Sequence, residues 1–213
     1  MYNTILFDLD GTITDSAPGI TRAAAYALKK YGIQYENFED LRFFVGPPLI
    51  DSFRKYDEIS DPMEAVAFFR EYYSEKGIFE CDVFKGIEIM LKKLKDMNKR
   101  LIIATSKPEA FAVKILKHYD LDAYFDFIAG ATMDETRIKK SDVIDYALKS
   151  NNIGDSKGLV MIGDRHHDIE GANLHHLDSI GVLYGYGDFE ELKKAGATYI
   201  VKDVNELESL LLK

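Results

Sequence analysis

One stretch constrains this chain more than any other. The run Thr4-Ile5-Leu6-Phe7 breaks off into Asp8-Leu9-Asp10-Gly11-Thr12. A short, largely apolar run of this kind reads as a buried strand. Side chains alternate along a strand, so Asp8 and Asp10 would share a face if the strand ran on. Gly11 lets the chain turn away at that point. Two acids therefore stand at the carboxyl end of a strand, which is where open α/β sheets place ligands.

The pattern that follows divides in two. Asp15-Ser16-Ala17-Pro18 reads as a helix start, with Asp15 or Ser16 as the cap, and the helix runs to Lys30 with Gly32 as its stop. From Leu49 to Gly77 the apolar residues keep helical spacing: Leu49, Phe53, Tyr56, Met63, Val66, Phe69 and Tyr73. No alternating strand stands out there. Residues 15–83 thus read as a helical insertion between one strand and the rest of an α/β pattern. Residues 1–14 and 84–213 form that pattern, with strands at Leu101–Ala104, Phe127–Ala129, Leu159–Ile162, Ser179–Leu183 and Tyr199–Val201 separated by helices. Thr105-Ser106-Lys107-Pro108 is read as turning directly into one of those helices. Alternation of this kind implies a parallel sheet with crossover helices on both faces, a Rossmann-like α/β core.

Three strands of this core end in polar residues. The first ends at Asp8 and Asp10, the second at Thr105 and Ser106, and the strand at Leu159 ends at Asp164 with Asp168 four residues on. In a parallel sheet all three ends lie along one edge. Lys139 and Lys140, at a helix start in the same half, add positive charge. Carboxylates crowded together repel one another unless a cation sits among them, and an all-oxygen set favours a hard ion such as Mg²⁺. Such an ion with open positions meets phosphate, for which a Thr105 hydroxyl and a Lys140 ammonium are suitable donors. One carboxylate can attack phosphorus and a second can handle the proton.

Composition bounds the partners. The formal net charge is −9, which disfavours nucleic-acid polymers and anionic membrane surfaces. Cys81 is the only cysteine, in keeping with a reducing cytoplasm. No secretory signal or membrane span is read. A local pocket for a small anion, such as a small-molecule phosphate ester, stays compatible with that net charge; a monomer or homodimer is expected.

These motifs resemble the haloacid dehalogenase superfamily of phosphohydrolases. Asp8-Leu9-Asp10-Gly11-Thr12 matches its first signature. Ile103-Ala104-Thr105 is similar to the second motif, Lys140 to the third-motif lysine, and Gly163-Asp164-Arg165-His166-His167-Asp168 to the fourth. The resemblance implies an aspartyl-phosphate mechanism with Asp8 as nucleophile and Asp10 as general acid/base. It implies that Thr105 and Lys140 hold the phosphoryl group, and that Asp8, Asp10 (through its backbone carbonyl), Asp164 and Asp168 hold Mg²⁺. It also implies that the helical insertion is a C1 cap that closes over the site. Thr14-Asp15-Ser16, Val45-Gly46-Pro47-Pro48-Leu49, Thr105-Ser106-Lys107-Pro108 and Gly185-Tyr186-Gly187 look like the phosphoglycolate phosphatase group. The substrate contacts implied are Thr105, Ser106, Lys107, Gly46 and Pro47. Phosphoglycolate is the first expected substrate and nucleoside 5′-monophosphates the second. A sugar phosphomutase and a non-catalytic phosphoacceptor are the rivals.

Other residues receive plainer assignments. Asp15 is read as a cap, and Arg22 and Arg54 as candidate substrate contacts that read first as surface charges. His166, His167, His175 and His176 raise the question of zinc. Adjacent helical residues do not face one another and the pairs stand nine apart, so no zinc site is expected.

Overall fold

The structure is a computed structural model that describes residues 2–134 and 136–213. Met1, the first residue of the expected core, lies outside the described residues. The chain divides into two compact units, 1–14 with 83–213 and 15–82.

The first unit is built on a six-stranded sheet of β1 (Thr4–Phe7), β4 (Arg100–Pro108), β5 (Phe127–Ala131), β6 (Leu159–Gly163), β7 (Asp178–Val182) and β8 (Tyr199–Val201). Two further strands, β2 (Thr14–Asp15) and β3 (Asp82–Val83), make a two-stranded ribbon. The large sheet has the order β5-β4-β1-β6-β7-β8, and every neighbouring pair in it is parallel. The order reverses at β1, which pairs with β4 on one side and β6 on the other. That reversal is the switch point at which doubly wound sheets open a crevice beyond their carboxyl ends.

Burial explains why these segments are strands. Every residue of Leu159–Gly163 is buried, as are Ile5, Leu6 and Phe7. Strands covered on both faces need continuous rather than alternating apolar runs. One face packs Leu6, Ile102 and Met161 against Val143, Ile144 and Ala172 of the helices α6 (Lys140–Ser150) and α7 (His166–Leu174). Each of the larger side chains, Leu, Ile, Val and Met, contributes about 1.5–3 kcal/mol on burial. Helices α4 (Ile87–Asp96), α5 (Glu109–His118), α8 (Phe189–Lys194) and α9 (Val204–Leu211) complete the unit. Asp188 and Asp203 cap the last two through their side chains.

One local reading is corrected. β4 does not end at Ala104 but runs on to Pro108, with a register irregularity between the two, and α5 starts only at Glu109. Pro108 lacks an N–H and biases Lys107 towards extended backbone, so the helix cannot begin earlier. The consequence is alternation: Thr105 and Lys107 are buried while Ser106 between them is exposed.

The second unit is helical. It comprises α1 (Ala17–Lys30), a 3₁₀ segment Phe38–Phe44, α2 (Leu49–Phe53), α3 (Pro62–Glu75) and a 3₁₀ turn Gly77–Phe79. Phe44, Phe53, Phe69 and Tyr73 stack in sequence as its core. Asp61 caps α3 by accepting from the Met63 and Glu64 amides, and Pro62 follows at the first position. Gly19 lies so close to the chain at Gly77 that a Cβ there would stand 1.9 Å from the Gly77 carbonyl oxygen. Asp15 accepts from the Ala17 amide at 3.2 Å, so it serves the start of α1 although Ser16 occupies the cap position.

Candidate active site

The Asp8 amide donates to the Ile162 carbonyl at 2.8 Å, continuing the β1–β6 pairing one residue past the strand. This fixes the direction of its side chain. Asp8 Oδ1 accepts from the Leu9 amide at 2.8 Å and meets Lys140 Nζ at 2.8 Å. The chain then reverses: Gly11 takes φ 79° and the Leu9 carbonyl receives the amides of Thr12, Ile13 and Thr14. Asp10 is brought to Lys107, whose Nζ lies 2.6 and 2.9 Å from its two carboxylate oxygens. The Lys107 side chain is only 5% exposed. Lys107, expected as a substrate contact, is therefore seated on Asp10.

The end of β6 supplies the other acids. Asp164 is fully buried; its Oδ2 accepts from the Tyr186 amide at 2.7 Å, while Oδ1 has no hydrogen-bond partner. Its space is cut from glycines. A Cβ on Gly11 would lie 2.2 Å from Asp164 Oδ2, and one on Gly185 2.4 Å from Asp164 Cβ. Asp168 Oδ2 accepts from the Arg165 amide at 3.1 Å at the start of α7. Its Oδ1 forms an ion pair with Lys140 Nζ at 2.7 Å, without the angle of a directed hydrogen bond. Asp168 thus caps a helix and joins the cluster at once.

Lys140 opens α6 with its side chain buried, whereas Lys139 is exposed. Besides Asp8 and Asp168, its Nζ donates to the Ala104 carbonyl at 2.9 Å. Burial opposes its charge, but the Asp168 and Asp8 carboxylates outweigh burial and hold its pKa above the ordinary lysine value. Thr105 is 1% exposed, and its hydroxyl accepts from the Lys107 amide at 3.2 Å. Ser106 faces outward. Gly46 and Pro47 belong to the helical unit, between the 3₁₀ segment and α2; Gly46 is exposed at φ 102°.

The electrostatics point to a missing positive charge. Ionised together, the carboxyl groups of Asp8, Asp10, Asp164 and Asp168 would outnumber the Lys107 and Lys140 ammoniums four to two, which a cation would balance. Burial, ahead of the neighbouring Asp168 and Asp10, pushes Asp8 up to about 6 against the pull of Lys140. Burial, then Asp168 and Asp8, push Asp164 well above the carboxylate range. Oxygens of Asp8, Asp164 and Asp168 lie within 4.8 Å of one another, all buried. An all-oxygen set with a buried, unpartnered oxygen on Asp164 fits a hard divalent cation.

Several supporting groups escape the sequence. The Tyr184 hydroxyl donates to the Thr12 carbonyl at 3.0 Å and its ring stacks edge-on to Phe84, 5.0 Å away. Glu191 Oε1 accepts from Arg165 Nε at 2.8 Å and from the His166 amide at 2.9 Å, tying α8 to the turn that carries Asp164. Gly185-Tyr186-Gly187 was legible as a motif, but its use in walling Asp164 was not. Nothing in local spacing announces Glu191.

Known proteins resemble this chain over nearly its whole length. The family model described as haloacid dehalogenase-like hydrolase matches residues 5–182. A 5′-nucleotidase of Pseudomonas aeruginosa is 39% identical, over 99% of this chain and 96% of its own length. The tyrosine-protein kinase PtkA of Mycobacterium tuberculosis is 36% identical, over 97% of this chain and 72% of its own. A phosphoglycolate phosphatase of Colwellia psychrerythraea is 29% identical, over 95% and 94%. The crystal structure of a predicted phosphatase from Clostridium acetobutylicum superposes with a TM-score of 0.93 at 49% identity, covering 100% of this chain and 99% of that one.

Proposed function

The chain belongs to the haloacid dehalogenase-like hydrolase family and is a phosphatase, and on that premise we propose that it hydrolyses small phosphomonoesters through a phosphoryl group carried on Asp8. The observation that carries this reading is the buried, unpartnered Asp164 Oδ1 beside Asp8 and Asp168, with carboxyl groups outnumbering ammoniums at the sheet's switch point.

Asp8, Asp164, Asp168 and the Asp10 carbonyl would hold Mg²⁺. When bound, the ion supplies the positive charge that lets an anionic nucleophile approach an anionic phosphate. An Asp8 carboxylate oxygen attacks phosphorus, and the ester oxygen leaves with a proton from Asp10. Asp10 then takes a proton from water, which attacks the acyl phosphate and frees Asp8. Lys107 holds Asp10 by both carboxylate oxygens and so orients it, and that contact has to loosen for Asp10 to reach the ester. Thr105 and Lys140 offer donors to the phosphoryl oxygens, Lys140 by exchanging its contact with Asp8. The helical unit is assigned the role of cap, with Gly46 and Pro47 as its substrate contacts and Ser106 and Lys107 as those of the core.

Among substrates, nucleoside 5′-monophosphates move ahead of phosphoglycolate. The 5′-nucleotidase shares 39% of its residues with this chain and the phosphoglycolate phosphatase 29%. A kcat/KM panel of nucleoside monophosphates, phosphoglycolate, sugar phosphates and pyrophosphate with Mg²⁺ tests this. The expected result is phosphate release, fastest from a nucleoside monophosphate. Preference for phosphoglycolate would reverse the order, and an isomerised sugar phosphate without phosphate release would replace hydrolysis by mutase chemistry.

A further inference from the structure

The turn that carries Asp164 and Asp168 also carries two histidines that the chemistry above leaves unused. α7 opens with His166 and His167, and Glu170 follows one turn on. The ring centroids of the two histidines lie 3.8 Å apart at 44°. One ligand atom from each of His166, His167 and Glu170 lies within 4.8 Å of the other two. Helical spacing alone sets neighbouring side chains apart. It fails here because His166 is the first helical residue and its ring is anchored from outside the helix: Nδ1 stands 2.7 Å from Glu191 Oε1.

That contact has a chemical consequence. Glu191 Oε1 also accepts from Arg165 Nε at 2.8 Å and from the His166 amide at 2.9 Å, so the carboxylate is fixed behind the ring. With Nδ1 engaged by that carboxylate, Nε2 is the ring nitrogen left to take a cation. A carboxylate behind a histidine is the arrangement that orients imidazole as a metal ligand. His167 and Glu170 are exposed, so the group is open to solvent. His175 takes no part, its Nε2 being engaged with the Ser141 carbonyl at 2.9 Å.

We propose that His166, His167 and Glu170 form a second cation site, for a borderline transition metal such as Zn²⁺ or Co²⁺. Two imidazole nitrogens and one carboxylate, with a position left for water, suit such an ion and not Mg²⁺. The site differs in donor chemistry from the all-oxygen cluster of Asp8, Asp164 and Asp168. It stands whether or not the proposed hydrolysis does.

The test is a Co²⁺ titration of the full chain, free of any polyhistidine tag and saturated with Mg²⁺, followed by visible absorption and then displacement with Zn²⁺. The expected result is one equivalent of Co²⁺ bound in excess Mg²⁺. His167→Ala and Glu170→Gln, at exposed positions that do not threaten the fold, should each weaken it by about tenfold or more, the scale on which even outer partners of a metal act. His118→Ala, on α5, should leave it unchanged. Absence of the absorption, its loss in excess Mg²⁺, or its survival in either substituted protein would overturn the proposal.

Discussion

Asp164 places its carboxylate in space that exists only because residue 11 is glycine: a Cβ on Gly11 would stand 2.2 Å from Asp164 Oδ2. Gly11 also sits at φ 79°, where a side chain is strained regardless of its neighbours. Gly32 shares φ 79° but would meet nothing within 4 Å. Gly32→Ala should therefore cost only the backbone term, about 1–2 kcal/mol. Gly11→Ala should cost more and should also weaken Mg²⁺ binding. Chemical denaturation and a Mg²⁺ titration of both variants would show it; equal losses would mean that Asp164 is not confined as described.

Lys140 is the cation between Asp8 and Asp168, at 2.8 and 2.7 Å. Lys140→Met strands both acids in a buried site, a change that costs about 3–5 kcal/mol when one partner of a buried pair is removed. The deficit should be largest in EDTA and shrink in Mg²⁺. Lys139→Met, at an exposed position, should stay within about 0.5 kcal/mol of the parent. Melting temperatures with and without Mg²⁺ measure the difference.

Asp164→Asn should reverse the usual sign of a substitution in a buried site. Without metal, burial first and then Asp168 and Asp8 disfavour the charged form of Asp164, so replacing its carboxyl by an amide should leave stability unchanged or raise it. In Mg²⁺ the parent protein should gain about 2.7 kcal/mol at one hundred times its Kd, and Asp164→Asn should gain almost none. A variant that melts with the same Mg²⁺ response as the parent would place the ion elsewhere.

Glu191 links stability to pH. Its pKa falls from 4.5 to about 2 because the His166 amide and ring and Arg165 overcome burial. A lowered carboxylate pKa means that the unfolded chain binds the proton first. The contribution is whole above about pH 4.5 and is lost as pH falls towards 2. The pair is partly solvated, so it is of order 1 kcal/mol. Glu191→Gln should flatten the acid limb of a stability–pH curve over that window and leave its neutral limb parallel to the parent's.

What could be read from the chain was whatever local spacing encodes. Buried strands announce themselves as apolar runs, and Asp8, Asp10, Thr105 and Asp164 follow directly on three of them, so the sheet edge was visible in advance. Lys140 was legible as a motif but not as the partner of Asp8 and Asp168, because that pairing needs α6 laid across the sheet. The Lys107–Asp10 contact depends on Pro108 delaying α5, a steric effect that the helical pattern of residues 109–118 conceals. The His166–His167 pair was set aside on helical geometry, which does not govern a residue at a helix start held by Glu191.

The central claim is that phosphoryl transfer passes through Asp8. It is tested most directly by acid-quenching the enzyme during Mg²⁺-dependent turnover of p-nitrophenyl phosphate and locating the phosphoryl group by peptide mass spectrometry. The predicted result is a hydroxylamine-sensitive phosphoryl group on Asp8, more abundant in Asp10→Asn, where water attack is slowed. A phosphoryl group on any other residue, or Mg²⁺-dependent turnover undiminished in Asp8→Asn, would contradict it.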